Sequence, residues 1–250
     1  GHVAVSGMTR YRSGLFGSRW TDNLFVTFFN SGKVVRLKTQ ATGSTYEFTQ
    51  HEFLSSTSRE FHPTDVLEDA DGSLLVVDTG GWFYRGCPTS QFAKPELLGG
   101  IYRVRRDGKV GHADPRGLSV AWDSLTPDEL LELFADGRHV VRASAVNEAV
   151  ARGAEMISLL STAIKAAEPL VRRHAILALG RLSQDPVLAK ESVSVLMQAV
   201  RDSLPELRQL ACRGLGFSHG PVEIAGLFSL LQDSTPHVRR QAQTTLGIRR

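Results

Sequence analysis

The stretch Pro169-Leu170-Val171-Arg172-Arg173-His174-Ala175-Ile176-Leu177-Ala178-Leu179-Gly180 returns in altered form from Pro205 and again from Pro236. The shared skeleton is Pro-x-[Val/Leu]-Arg-x-x-Ala-x-x-x-Leu-Gly, and the copies begin 36 and 31 residues apart. A weaker copy, Val141-Arg142-Ala143-Ser144-Ala145, precedes them. Self-similarity at this spacing predicts a helical solenoid. Proline at the first helical position sacrifices no hydrogen bond and presets φ. The Val/Leu, Ala and Leu positions lie four apart, so they share one helix face. The small alanine admits a close neighbour. The glycine after leucine suits a left-handed C-cap, and Thr235 before Pro236 offers an N-cap oxygen.

Each repeated helix has an apolar partner upstream. Thr126-Pro127-Asp128-Glu129 opens the first and places Glu129 for a capping box. Glu155-Met156-Ile157-Ser158-Leu159-Leu160 supplies the second, Asp185-Pro186 opens the third and Gly220-Pro221 the fourth. Four helix pairs therefore run from about Leu125. No pair buries its apolar face alone, but stacked pairs bury a continuous core. The pattern resembles HEAT repeats. Asp202 and Asp233 fall in the inter-helix turns, and Arg172, Arg208 and Arg239 a few residues into the second helices. The resemblance implies a buried Asp/Arg ladder between units. Asp136 holds this place in the first repeat, while Ala166-Ala167-Glu168 interrupts it in the second.

The first half has another character. Leu24 to Phe29 is an apolar, strand-like run, Asn30-Ser31-Gly32 a turn and Lys33 to Lys38 a second strand. Thr45 to Leu54 contains a third. Asp69-Ala70-Asp71-Gly72 turns tightly into the strand Ser73 to Asp78, whose expected partner is Gly100 to Arg105. An apolar strand followed by Gly/Asp turns, used twice, suggests blades of a β-propeller; an ordinary antiparallel sheet is the plainer alternative. The chain is thus expected to be a partial propeller of about two blades over residues 1–116, then a HEAT-like α-solenoid over 117–250.

The apolar fraction of 42% and charged fraction of 22% suit a folded globular chain. With only two cysteines, Cys87 and Cys212, neither a disulfide framework nor a cysteine-based metal site is expected. No apolar run reaches the 18 or so residues a membrane span needs. The first residues are Gly1-His2, without Met, and the last lie in a helix, so a piece of a longer protein is expected.

Several stretches resemble the large planctomycete-type membrane-bound dehydrogenases, which join a glucose/sorbosone dehydrogenase-like propeller to HEAT-like repeats. They are Asn23-Leu24-Phe25, Glu52-Phe53-Leu54, Phe61-His62-Pro63-Thr64-Asp65-Val66, Asp71-Gly72-Ser73-Leu74, and Val77-Asp78-Thr79-Gly80-Gly81-Trp82 leading to Cys87-Pro88 and Gly100-Ile101-Tyr102-Arg103-Val104. The join at Asp114-Pro115-Arg116-Gly117-Leu118 is also similar. The resemblance implies an exported or periplasmic sugar or alcohol dehydrogenase with a PQQ-like quinone and Ca²⁺. Three departures stand against it. His62 replaces the expected arginine, no Cys-x-x-Cys-His motif exists to bind covalent haem, and two blades are too few to close a propeller.

His62 and Asp65 are the candidate base and its orienter, or else a turn histidine and an aspartate capping backbone amides. Asp78, Trp82 and Arg103 are candidate cofactor contacts. Their plainer readings are a turn-forming aspartate, a loop aromatic in the run Trp82-Phe83-Tyr84-Arg85, and a solvated strand face. As a carboxylate ending a buried strand, Asp78 could bind Ca²⁺ or substrate, and the metal is otherwise left open. Arg172, Arg173, Arg208, Arg213, Arg239 and Arg240 form a ridge that could track phosphates, but no aromatic residues interleave with them as single-strand binding requires. The alternative to the dehydrogenase is a non-catalytic scaffold that binds a protein through the solenoid.

Overall fold

The computed structural model describes residues 3–81, 96–109 and 111–249. The chain divides into two compact units: Gly1–Ala41 with Tyr46–Pro115, and Thr42–Thr45 with Arg116–Arg250.

The first unit holds two antiparallel sheets. Strands β1 (Val5–Arg10), β2 (Leu24–Phe28), β3 (Lys33–Thr42) and β4 (Thr45–Ser55) form one in sequence order. Strands β5 (Pro63–Glu68), β6 (Leu74–Asp78) and β7 (Gly100–Val104) form the other. Central β2 is buried on both faces at Phe25, Val26 and Thr27, whereas β4 is mostly exposed. Gly7 on β1 sits against β5 so closely that a Cβ there would lie 2.6 Å from the Asp65 Cα.

The core of this unit is aromatic. Tyr11 stacks on Phe16 at 5.0 Å, Trp20 stacks on Phe25 at 6.2 Å, and Phe53 meets Phe25 edge-on at 4.7 Å. The Tyr11 hydroxyl donates to the Gly72 carbonyl at 2.8 Å and accepts the Phe16 N–H at 3.1 Å. Burial pushes this phenol up to about 12.

The expected partial propeller is therefore corrected. Among the described residues the unit consists of seven strands in two small sheets of unequal size, and nothing indicates a propeller. The signal that suggested blades, an apolar strand followed by a Gly/Asp turn, is local. Any antiparallel meander produces it, whereas a propeller requires radial closure of four or more sheets.

The second unit is a solenoid of helix pairs: α1 (Pro127–Glu132) with α2 (His139–Arg152), α3 (Ala154–Ala163) with α4 (Pro169–Leu182), α5 (Ala189–Ala199) with α6 (Pro205–Gly216), and α7 (Ile224–Ser229) with α8 (Pro236–Ile248). Short 3-10 turns extend α1 and α7. The second helices α2, α4, α6 and α8 pack on one another in chain order. Ala145, Ala149, Ala175, Leu179, Ala211, Leu215 and Ala242 are fully buried between the layers. The capping box at α1 forms: Thr126 Oγ1 accepts the Glu129 N–H at 3.3 Å, and the Glu129 carboxylate accepts the Thr126 N–H at 2.8 Å.

Two local expectations are revised. Gly180 is not a C-cap, because α4 continues to Leu182, which is buried at 2% exposure and completes the core. Gly180 serves close approach instead. A Cβ on it would lie 3.5 Å from the Gly214 Cα, and one on Gly214 would lie 3.3 Å from the Gly180 Cα. Nor does Thr235 cap α8 with its side chain; Asp233 accepts the Thr235 N–H at 2.8 Å.

Candidate functional site

The repeat arginines build a ladder. Arg172 Nε donates to Asp202 at 2.9 Å, and its Nη1 to the Ala166 carbonyl at 2.8 Å. Arg208 repeats this with Asp233 at 2.7 Å and the Asp202 carbonyl at 2.8 Å. Arg239 donates to the Asp233 carbonyl at 2.6 Å. Each arginine thus satisfies the turn preceding its own helix, and Arg172 and Arg208 also hold the aspartate of the next pair. The bond from Arg208 holds the Asp233 carboxyl below the usual carboxylate range, and the same bond raises the Arg208 guanidinium. In the second pair Glu168 spends its carboxylate on the Leu170 N–H at 3.1 Å, capping α4.

The ladder fixes what the second helices show outward. In repeat register, Arg173 and Gln209 share one position, Leu177 and Arg213 the next, and Arg181 and Phe217 the third. Arg181, Arg213 and Phe217 are exposed, Leu177 is 37% exposed and Arg173 half-buried. Arg181 Nη1 donates to Asn147 Oδ1 at 2.6 Å. The ridge read from the sequence thus splits in two. Arg172, Arg208 and Arg239 turn inward to the ladder, whereas Arg173 and Arg213 remain on the outer face. Arg240 donates to the Ser44 carbonyl at 3.0 Å. The apolar members of this face, Leu177 and Phe217, were missed in the sequence. The signal was available: they occupy repeat positions that alternate with the core positions.

The other sequence candidates lie in the first unit. His62 Nδ1 sits 2.9 Å from the Gly80 carbonyl and 3.0 Å from that of Glu60, which places the ring proton on Nδ1. Asp65 Oδ1 accepts the Val66 N–H at 2.8 Å, beside a bulge in the β5–β6 pairing between Pro63 and Asp65. Asp78, buried at 8% exposure, accepts the N–H groups of His62 and Gly80, both at 2.9 Å. It borders a hollow of about 380 Å³ shared with Glu60, Leu98 and Tyr102. Arg103 pairs with Asp69 at 2.7 Å and Asp71 at 3.3 Å, and donates to Ser73 Oγ at 2.5 Å. Trp82 and its neighbours Phe83, Tyr84 and Arg85 lie outside the described residues, as does Cys87. Cys212 is buried beside Thr245 Oγ1 at 3.6 Å, and burial raises its thiol. Among the described residues no group of three or more His, Cys, Asp and Glu is placed to hold a metal ion. No helix among them is long and apolar enough to cross a membrane.

The chain matches no protein-family model and no curated protein. Solved structures do match it. The complex of CpcE and CpcF of phycocyanin lyase from Nostoc sp. PCC7120 is 24% identical over 49% of this chain and 76% of that one, with a TM-score of 0.42. Human deoxyhypusine hydroxylase is 21% identical over 49% of this chain and 43% of that one, with a TM-score of 0.40. YibA of Escherichia coli is 18% identical over 59% of this chain and 66% of that one, with a TM-score of 0.37. None of the three is named as a dehydrogenase or a propeller. The dehydrogenase resemblance, and the sugar or alcohol oxidation drawn from it, are corrected accordingly.

Proposed function

We propose that this chain is a protein-binding scaffold, with the outer face of α4 and α6 as its docking surface. The observation that carries this reading is the division of labour in the repeats. The ladder arginines hold successive helix pairs at fixed spacing, and the positions between core and ladder carry exposed Leu177, Arg181, Arg213 and Phe217. A stacked array of this kind presents an extended surface whose side chains are set by the repeat and not by one pocket. Exposed aromatic and arginine side chains are enriched where proteins meet. The experiment is site-specific photo-crosslinking in cells that produce the chain, with the reactive group at position 177, at position 213 or, as control, at exposed position 191 on α5. Protein adducts at 177 and 213 that are absent at 191 are expected. Equal labelling at all three positions, or none, counts against this surface.

A further inference from the structure

The last three second helices are nearly devoid of acid, and on α2 Glu148 is paired with Arg152 at 2.9 Å. Helices α4 and α8 contain no Asp or Glu, and α6 contains only Glu206 in its first turn. The first helices carry the acidic complement at exposed Asp128, Glu129, Glu132, Glu155 and Glu191. Among the described residues, Arg181 on α4 is engaged only by the neutral Asn147 amide. Among the described residues, neither Arg173 nor Arg213 has a carboxylate within ion-pair distance.

The spacing is specific. Arg173, Leu177 and Arg181 lie four residues apart on one helix, so successive members are separated by about 6 Å along its axis. Alternate residues of an extended peptide recur at about 6.5–7 Å on one side. The column on α6, Gln209, Arg213 and Phe217, stands about 8–10 Å away across the helix packing. Basic groups therefore flank an apolar one on α4, and a basic group adjoins an aromatic one on α6.

We infer that this face binds an extended acidic peptide segment in which an apolar side chain lies between carboxylates. The carboxylates meet Arg173, Arg181 and Arg213, and the apolar side chain lies on Leu177 and Phe217. The inference rests on the docking surface proposed above and names the chemistry of its partner. Nucleic acid fits less well. Three of the repeat arginines are turned into the ladder, and Leu177 and Phe217 interrupt the remaining charge where phosphates would run.

The test uses the full chain and fluorescence anisotropy with four labelled probes of equal length. These are a peptide alternating Glu and Leu, the same peptide with Gln for Glu, the same with Gly for Leu, and a single-stranded oligonucleotide. The Glu/Leu peptide is expected to bind tightest and to weaken with added salt. The double variant Arg173→Gln, Arg213→Gln is expected to weaken it about fivefold, the order expected for two exposed charge contacts. Arg213→Glu is expected to shift preference toward a Lys/Leu peptide. Unchanged melting midpoints certify that the variants fold. The inference is overturned if the Gln/Leu peptide binds as well, if the oligonucleotide binds tighter, or if the double variant binds the Glu/Leu peptide unchanged. If crosslinks form at 177 and 213 while the Glu/Leu peptide fails to bind, the docking surface stands and its acidic partner falls. If neither occurs, both fall.

Discussion

In the helical unit the Asp233 carboxylate is neutralised by Arg208 from the preceding helix pair at 2.7 Å. In the β unit the Glu68 carboxylate, with no exposed side-chain surface, accepts the backbone N–H groups of Arg12 at 2.9 Å and Ser13 at 2.6 Å, with Arg12 Nε at 3.2 Å. Both take a charge out of water, and both offset the desolvation with directed donors. The helical solution is periodic: the same bond recurs at Asp202 with Arg172. The β solution is singular, tying β5 to a segment more than fifty residues earlier. A repeat fold stabilises charge by a rule, whereas the two small sheets stabilise it by a particular meeting.

The sharpest way to break this comparison is to remove each carboxylate in turn. Asp233→Ala leaves Arg208 partly buried without its partner, which typically costs about 3–5 kcal/mol. The helical signal at 222 nm should melt earlier while the near-ultraviolet aromatic signal holds its midpoint. Glu68→Ala orphans two backbone donors, at about 1–3 kcal/mol for such a loss. Here the aromatic signal from Tyr11, Phe16 and Trp20 should fail first. Equal shifts of both signals in either variant would show that the units melt as one.

Packing gives a smaller effect. Ala211 is fully buried at the repeated small position, whereas Gln209, two residues earlier, is only partly buried. Ala211→Leu overpacks the layer at about 1–3 kcal/mol, while Gln209→Leu should stay within about 0.5 kcal/mol. Comparable denaturation midpoints for the two variants would mean that the inward face of α6 has been misassigned.

Mild acid acting through His174 should produce the smallest change. His174 on α4 is half-buried, its Nδ1 lies 2.8 Å from the Leu170 carbonyl, and burial lowers its pKa. Arg142 and Arg173 add to the lowering. The unfolded chain then binds the proton more readily than the folded one, so stability is complete above the ordinary histidine value of about 6.5 and falls as pH drops below it. His174→Gln should flatten the dependence of the 222 nm midpoint between pH 7 and 5. An unaltered slope would assign the acid sensitivity to other groups.

What was legible in the sequence follows the same division. Arg172, Arg208, Asp202 and Asp233 recur with the chain's own period, and their pairing was what the resemblance to HEAT repeats implied. The inward alanines could be placed because four-residue spacing defines a helix face. Glu68 and Tyr11 could not, because their partners are fixed only when distant strands meet. Asp78 reads as a strand end in either fold, so its bonds to the His62 and Gly80 amides were invisible. The propeller misreading has the same origin: strand-and-turn patterning is local, and the number of sheets is not. Gly180 was misread because the helix-ending and close-packing uses of glycine look alike until a neighbour is in place.

The approach of Gly180 and Gly214 has a metrical consequence. Where two helices touch through glycine, the separation of their axes is set by main-chain radius, which mutation and thermal motion of side chains barely alter. The columns bearing Arg181 and Phe217 end beside that junction, one residue beyond Gly180 and three beyond Gly214. On the proposed docking surface, this glycine contact sets the distance between the two columns where they meet it.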